Sequence, residues 1–325
     1  MNSSVECMEM IETRGLTKHF KDVRAVDGID LTVARGELVA LLGPNGAGKS
    51  TTLRMLTTLI PPTSGTASVA GFDVVRGQRE VRRRIGYIGQ GNGAGHSQRG
   101  RDELISQGRA YGMKVADARR RAAELIESLD LTEVADRTVA TLSGGQRRRL
   151  DIAMGLIHSP DLLFLDEPST GLDPQNRANL QEHILRLRAE HGTTIVLTTH
   201  YLDEADSMAE RVIVVDHGRI IADDTPARLK AEHVGDTIRF GFDSEAEAAR
   251  GAAVLSGRGV AYGKEVKIRA EGGPRQAPGM LEDLRSAGVP AASVEVARPT
   301  LDDVFLRLTG KSLREGARVS ELVGV

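Results

Sequence analysis

The sequence predicts an α/β protein built on a parallel sheet and followed by a second, smaller α+β domain. Three observations carry that expectation. The run Leu38-Val39-Ala40-Leu41-Leu42 leads into Gly43-Pro44-Asn45-Gly46-Ala47-Gly48-Lys49-Ser50 and then Thr51-Thr52-Leu53-Arg54-Met55-Leu56, which reads as strand, glycine-rich loop and helix. Two more apolar runs, Leu162 to Leu165 and Thr194 to Thr199, end in Asp166-Glu167 and in His200, as strands buried on both faces of a parallel sheet do where a ligand meets their carboxyl ends. Beyond Asp236, short strand and helix patterns follow one another in the order βαββαβ, which suits a small ferredoxin-like sandwich.

The loop from Gly43 to Ser50 has the spacing of a phosphate-binding loop. Its glycines let the backbone wrap a triphosphate with N–H groups turned inward, and the helix beginning near Lys49 adds partial positive charge. Lys49 is placed for the β- and γ-phosphates and the Ser50 hydroxyl for a magnesium ion. Asp166 is expected to hold that metal directly or through water. Glu167 points differently and can polarise an attacking water. His200, on the same sheet edge, either reaches a γ-phosphate or lies on the surface.

Composition bounds the alternatives. A chain of 325 residues makes one large domain or two ordinary ones. Its 43 basic and 45 acidic residues leave a net charge of −2, so no overall polycation exists for nucleic acid. The lone Cys7 excludes an internal disulfide framework or a four-cysteine metal site and points to a reducing compartment. No apolar stretch approaches the roughly 20 residues that span a bilayer, and the first 20 residues lack a signal-like apolar segment. A soluble, cytosolic chain is expected, whose membrane part, if it has one, comes from another chain.

In chain order, Glu12 to about Val33 alternates and carries the turn signal Asp27-Gly28, an antiparallel β portion. Phe20, between His19 and Lys21, is either a platform for a purine ring or an ordinary strand aromatic. Pro61 to Gly65 ends the helix after the loop, Thr66 to Val75 reads as a hairpin, and Ile85 to Ile88 as a strand leading to Gln90. The segment after it, Gly91 to Gly100, has almost no side chain for a core and is expected as a mobile surface loop. Its dinucleotide-like glycine spacing fails for want of a following periodic helix and a distant acid. His96 stands there without partner ligands for a metal. Asp102 to Asp130 is helical.

Leu142-Ser143-Gly144-Gly145-Gln146 opens a helix through Arg147-Arg148-Arg149. It reads as a second anion site or as a simple N-cap and turn. The arginine triplet is expected to be a solvated face. Ser169 to Pro174, with Asp173, is a tight turn into the helix Gln175 to Glu190, and Arg211 to Ile221 reads as a hairpin. In the second domain, strands are expected at Thr237 to Phe242, Val260 to Tyr262, Val266 to Ala270 and Ser293 to Ala297. Helices are expected at Ser244 to Ser256 and Pro278 to Ala287, and a last amphipathic one capped by Thr300.

These motifs together, from Phe20 to His200, resemble the nucleotide-binding subunits of ABC transporters. The resemblance implies a P-loop NTPase of the ABC type over residues 1–235, with a helical subdomain at about 91–158, and an accessory α+β domain over 236–325. ATP and Mg2+ are the implied cofactors. Phe20 would stack on adenine; Gly43, Pro44, Asn45, Gly46, Ala47, Gly48, Lys49, Ser50 and Thr51 would hold the phosphates. Gln90 would sense the γ-phosphate and share the metal with Ser50 and Asp166. Glu167 would be the general base, with Lys49, Gln90 and His200 also in the catalytic set. Ser143, Gly144, Gly145, Gln146 and Asp173 would close on the nucleotide of an opposite subunit. One phosphate loop and one signature per chain thus imply a head-to-tail homodimer.

The stretch Pro299 to Gly310 further resembles the ATPase subunits of daunorubicin-resistance drug exporters. That implies a separately encoded integral-membrane permease, export of a hydrophobic drug or antibiotic, and a cytoplasmic, peripheral position on the inner face of the membrane. The sequence departs from relatives after Gln90, where glycines and Arg99-Gly100-Arg101-Asp102-Glu103 replace the bulky apolar residues that meet a permease. A soluble ABC ATPase acting on ribosomes or DNA is the rival class. Such relatives carry two nucleotide units or long inserted coiled coils, whereas about 90 residues without sustained heptads separate Ser50 from Ser143 here. A regulatory subunit with degenerate catalysis is disfavoured because every catalytic position is filled.

Overall fold

A computed structural model describes residues 9–91, 93–95, 97–255 and 259–310. Cys7, Asn92, His96 and Ser256, each part of an expectation above, lie outside the described residues. The chain divides into two units, the first ending at Asp223 and the second beginning at Asp224.

The first unit opens with β1 (Glu9–Phe20), β2 (Val23–Ala34), β3 (Leu38–Leu42) and α1 (Lys49–Leu56). It continues through β4 (Ser64–Val69), β5 (Phe72–Asp73), α2 (Gln78–Arg84) and β6 (Ile85–Ile88). Three helices follow, α3 (Gly100–Ala110), α4 (Val115–Ser128) and α5 (Gly144–Leu156), packed on one another in the middle of the unit. The rest is β7 (Leu162–Asp166), α6 (Pro174–His191), β8 (Thr194–Thr199), α7 (Leu202–Met208), β9 (Arg211–Asp216) and β10 (Arg219–Asp224).

Six strands form one sheet in the order β10-β9-β3-β8-β7-β6, with β3 parallel to β8 and β9, and β7 parallel to β6 and β8. Every residue of β3, β7 and β8 is buried, which is why these strands read as unbroken apolar or threonine runs rather than alternating ones. A second, antiparallel sheet has the order β2-β1-β4-β5. One core joins them: Ile11 and Val33 from the antiparallel sheet and Leu53 and Leu56 from α1 meet Val39, Phe164, Val196 and Ile213 of the parallel sheet.

The β1–β2 turn lies at Lys21-Asp22, where Lys21 has φ 51°, and not at Asp27-Gly28. Gly28 sits inside β2 with φ 73°, where the pairing slips between Lys18 opposite Val26 and Leu16 opposite Ile29. A glycine that signals a turn in sequence here supplies a bulge instead.

The second unit begins with α8 (Pro226–His233), capped by Thr225. It then runs β11 (Asp236–Gly241), α9 (Glu245–Val254), β12 (Gly259–Tyr262), β13 (Glu265–Ala270), α10 (Gly273–Ser286), β14 (Ser293–Ala297) and α11 (Leu301–Thr309). Sequence reading places the division at 235/236; it lies earlier because α8 packs on α11. The antiparallel sheet has the order β12-β13-β11-β14. Ile238, Phe240, Val266 and Ile268 bury one face of it against Ala248 of α9 and Ala277, Met280 and Leu284 of α10.

Helix α10 starts at Gly273, a full turn before Pro278, with which sequence reading begins it. An interior proline costs a helix about 3 kcal/mol. Burial of Gly273, Ala277, Met280 and Leu284, spaced 4, 3 and 4 residues apart on one stripe, offsets it. Helix α11 has the expected threonine cap, a reciprocal box in which Asp303 N–H donates to Thr300 Oγ1 and Thr300 N–H to Asp303 Oδ2 at 2.9 Å.

Phe240 is wholly buried at the centre of the second unit's core. Phe240→Ala is expected to cost this unit about 3–5 kcal/mol, read as a shift in its urea midpoint at unchanged slope.

Candidate active site

The loop between β3 and α1 is held by what its glycines lack. A Cβ on Gly43 would overlap the Val215 carbonyl, and one on Gly48 would overlap the Ala25 carbonyl. Gly48, with φ 107°, is also the N-cap of α1 and offers no side chain to its first turn. The first N–H groups of a helix have no intrahelical partner, so here they remain available to an anion. Gly46 likewise has φ 81°, in the left-handed region open to glycine.

Lys49 is 4% exposed, and its Nζ donates to the carbonyls of Gly43 at 2.7 Å and Pro44 at 3.1 Å. Burial pushes its ammonium below the usual lysine range, opposed by the charges of Glu167 and Asp166. Glu167 Oε1 stands 4.0 Å from Nζ.

The ends of β7 and β8 close the site. Asp166, buried, accepts on Oδ1 from Ser50 Oγ at 2.8 Å and from Thr198 Oγ1 at 2.7 Å. Gln90 Nε2 donates to Ser50 Oγ at 3.2 Å. Glu167 follows with φ 48°, a left-handed conformation that a non-glycine residue rarely holds, and its N–H donates to Thr198 Oγ1 at 2.9 Å. Glu167 Oε2 accepts from Thr170 Oγ1 at 3.2 Å and lies 3.4 Å from His200 Nδ1. The second contact is electrostatic, since His200 Nδ1 has no aligned hydrogen-bond partner. His200 holds the Glu167 carboxyl below its ordinary range against the opposing effect of burial, and Lys49 adds to it.

The structure therefore brings Lys49, Ser50, Gln90, Asp166, Glu167 and His200 together. Phe20 ends β1, 47% exposed, with Lys18 Nζ 5.2 Å from its ring centre. Ser143 caps α5 in a reciprocal box with Gln146, whose N–H donates to Ser143 Oγ at 3.3 Å. Among the described residues, no hydrogen bond joins Ser143 or Gln146 to the chain's own phosphate loop. Asp173 caps α6, accepting from the Asn176 N–H at 2.9 Å, and the Asn176 side chain lies against Gly145 closely enough that a Cβ there would overlap it.

Two expectations change. The arginine triplet is not a solvated face. Arg148, 7% exposed, donates to the carbonyls of Pro168 at 2.7 Å, Gly89 at 2.8 Å and Asp166 at 3.4 Å. Arg147 reaches the Val139 carbonyl and Arg149 that of Leu129, each at 3.1 Å. The loop after Gln90 is also anchored where it is described: Asp151 Oδ1 accepts from the N–H groups of Gly93 at 3.0 Å and Ala94 at 3.1 Å, and Ala94 is buried. Burial raises the Asp151 carboxyl against those two bonds. Arg148 and Asp151 lie three residues apart on α5, on one side of the helix; that spacing was the available signal, and the high local charge hid it.

The ABC transporter family model matches residues 26–170. The daunorubicin/doxorubicin resistance ATP-binding protein of Streptomyces peucetius is 45% identical over 305 residues, 92% of either chain. Among solved structures, cbiO1 of Clostridium perfringens, part of the ABC transporter complex cbiONQ, superposes with a TM-score of 0.64 at 28% identity, over 69% of this chain and 91% of that one. The ATP-binding cassette MJ0796, solved as a post-hydrolysis dimer bound to ADP and Pi, gives a TM-score of 0.60 at 25% identity, over 66% and 98%.

Removing the Arg148 side chain strands three carbonyl groups at the ends of β6 and β7. At about 1.5–3 kcal/mol for a hydrogen bond to a charged group, Arg148→Ala is expected to destabilise the first unit by about 2–5 kcal/mol, read by thermal and urea unfolding.

Proposed function

The chain belongs to the ABC transporter ATP-binding family, and from that premise we propose that it is the ATP-hydrolysing subunit of a drug exporter, acting as a head-to-tail homodimer on a separate membrane permease. The observation that carries this reading is the convergence of Lys49, Ser50, Asp166, Glu167 and His200 at the carboxyl edge of β3, β7 and β8. ATP would lie with its phosphates over the α1 N-terminus and its adenine toward Phe20. Lys49 then exchanges its two carbonyl partners for phosphate oxygens.

A magnesium ion suits the site because the Ser50 hydroxyl and the Asp166 carboxylate already meet there, oxygen donors a hard cation takes, and Gln90, whose Nε2 donates to Ser50, would turn its amide oxygen toward it. When bound, it neutralises charge on the β- and γ-phosphates. Glu167, kept ionised by His200 and Lys49, accepts a proton from the attacking water. His200, beside it, donates toward the transferring phosphate. Catalysis is mostly positioning, so the fixed backbone at Glu167 matters as much as its charge.

A signature with no hydrogen bond among the described residues to its own phosphate loop supports a site completed by a second copy, in which Ser143, Gly144 and Gly145 present the α5 N-terminus to the γ-phosphate. Loss of that phosphate releases the pair. No helix among the described residues is long and apolar enough to cross a membrane; in this reading the permease makes the crossing and the subunit sits on its cytoplasmic face. The similarity to a daunorubicin/doxorubicin resistance protein supports a hydrophobic drug or antibiotic as cargo.

Glu167→Gln should keep ATP binding, lower turnover at least about 100-fold, and elute as a dimer in Mg-ATP while the apo variant elutes as a monomer. Turnover near wild type would remove Glu167 as base; an ATP-bound monomer would remove the shared site. Cells carrying the permease with wild-type subunit should accumulate less daunorubicin than cells carrying the permease with the Glu167→Gln subunit. Equal accumulation would overturn the assignment to drug export.

A further inference from the structure

The second unit's sheet packs one face on α9 and α10 and carries a concave site of about 540 Å3 on the other. Arg239, Arg269, Arg298, Arg307, Thr237 and Asp303 are among its walls. Their convergence follows from the register. Thr237 stands opposite Arg269 on one side and Ala297 on the other, so these three form a row across β13, β11 and β14. Arg239, two residues along β11, returns to the same face. Arg298 comes from just beyond β14, and Arg307 from α11.

Four arginines thus line the groove with one lining carboxylate, Asp303, and Glu295 beside them opposite Arg239; both acids are engaged. Asp303 Oδ2 accepts from the Thr300 N–H at 2.9 Å and from its hydroxyl at 2.7 Å, at the cap of its own helix. Arg239 pairs with Glu295 at 3.3 Å, yet its Nε is buried without a hydrogen-bond partner. Among the described residues, Arg269, Arg298 and Arg307 form no ion pair. Arg239 also stands directly opposite Lys267, an unfavourable like-charge pairing across strands. A solvated surface has no need of this arrangement in a concavity.

We propose that this groove binds a small phosphate-bearing anion, either free or as the headgroup of a lipid. Guanidinium forks match phosphate oxygens two at a time, and several around one cavity neutralise a multiply charged group. The volume falls in the range of small-molecule sites, about 300–1,000 Å3. The walls contain no aromatic ring, so bases of a nucleic-acid strand find no stacking platform. The site makes the second unit a ligand-binding module of the subunit, independent of the phosphate loop.

The test uses the full chain with Lys49→Ala, which silences the phosphate loop, titrated calorimetrically with inorganic pyrophosphate and floated with phosphatidylcholine vesicles with or without phosphatidic acid. Adding Arg269→Glu and Arg298→Glu, both exposed positions, should weaken binding at least about tenfold, the loss expected for one charge-assisted contact. The neutral Arg307→Gln should weaken it in the same direction, and a control reversal at Arg76 and Arg119 should leave it unchanged. Sensitive binding of pyrophosphate assigns a free ligand, and sensitive binding of acidic vesicles alone assigns a headgroup. The proposal fails if neither probe binds, if the Arg269/Arg298 reversal leaves binding intact, or if the control reversal weakens it equally. Matching thermal melts of all variants exclude loss of fold as the cause.

Discussion

The carboxylate of Asp166 is the constraint on which the first unit's chemistry depends. It is buried at the end of β7, and one oxygen accepts from Ser50 at the start of α1 and from Thr198 near the end of β8. A buried charge is tolerable only when it is hydrogen-bonded. Satisfying this one ties the ends of β7 and β8 to the start of α1. Glu167 is then set by its N–H bond to Thr198 and by its left-handed backbone. Lys49 closes the arrangement from below, its burial made bearable by two carbonyls and two nearby acids.

Helix α5 extends that constraint. Its N-terminus presents the glycine-rich signature, while its interior grips the backbone around the site. Arg148 holds carbonyls that follow β6 and β7, and Asp151 holds the amides of Gly93 and Ala94. Burial disfavours the charged form of both side chains, and in each case the backbone bonds and the neighbouring opposite charge offset it. A displacement of the loop after Gln90 and a displacement of the signature are therefore not mechanically independent, since both load the same helix.

The second unit solves a different problem. Its sheet spends one face on a small apolar core, and the outer face is left to polar residues, as antiparallel sheets permit. Alternation along β11 puts Ile238 and Phe240 inward and Thr237 and Arg239 outward, so the core and the arginine groove are two readings of one strand. The core there follows from burial, and the basic outer face is not required by it.

Much of this was legible in the chain alone. Glycine spacing around Lys49 and Ser50, the apolar runs ending at Asp166 and His200, the Thr300 cap and the βαββαβ order are local patterns, set by residues within one turn or one strand of each other. Errors arose where a local signal served a distant need: Gly28 makes a bulge, Pro278 is carried inside a helix by the buried stripe around it, and three arginines read as solvated reach backbone carbonyls. What tertiary structure alone decided is which groups meet. Ser50 and Asp166 are 116 residues apart, and Asp166 and Thr198 are 32 apart. Their contact exists because the sheet order places β8 between β3 and β7, an adjacency that hydrophobic periodicity does not encode. The arginine groove is of the same kind: each arginine looks ordinary in its own segment, and they become neighbours through the register of β11 and β13 and the placing of Arg298 and α11 beside them.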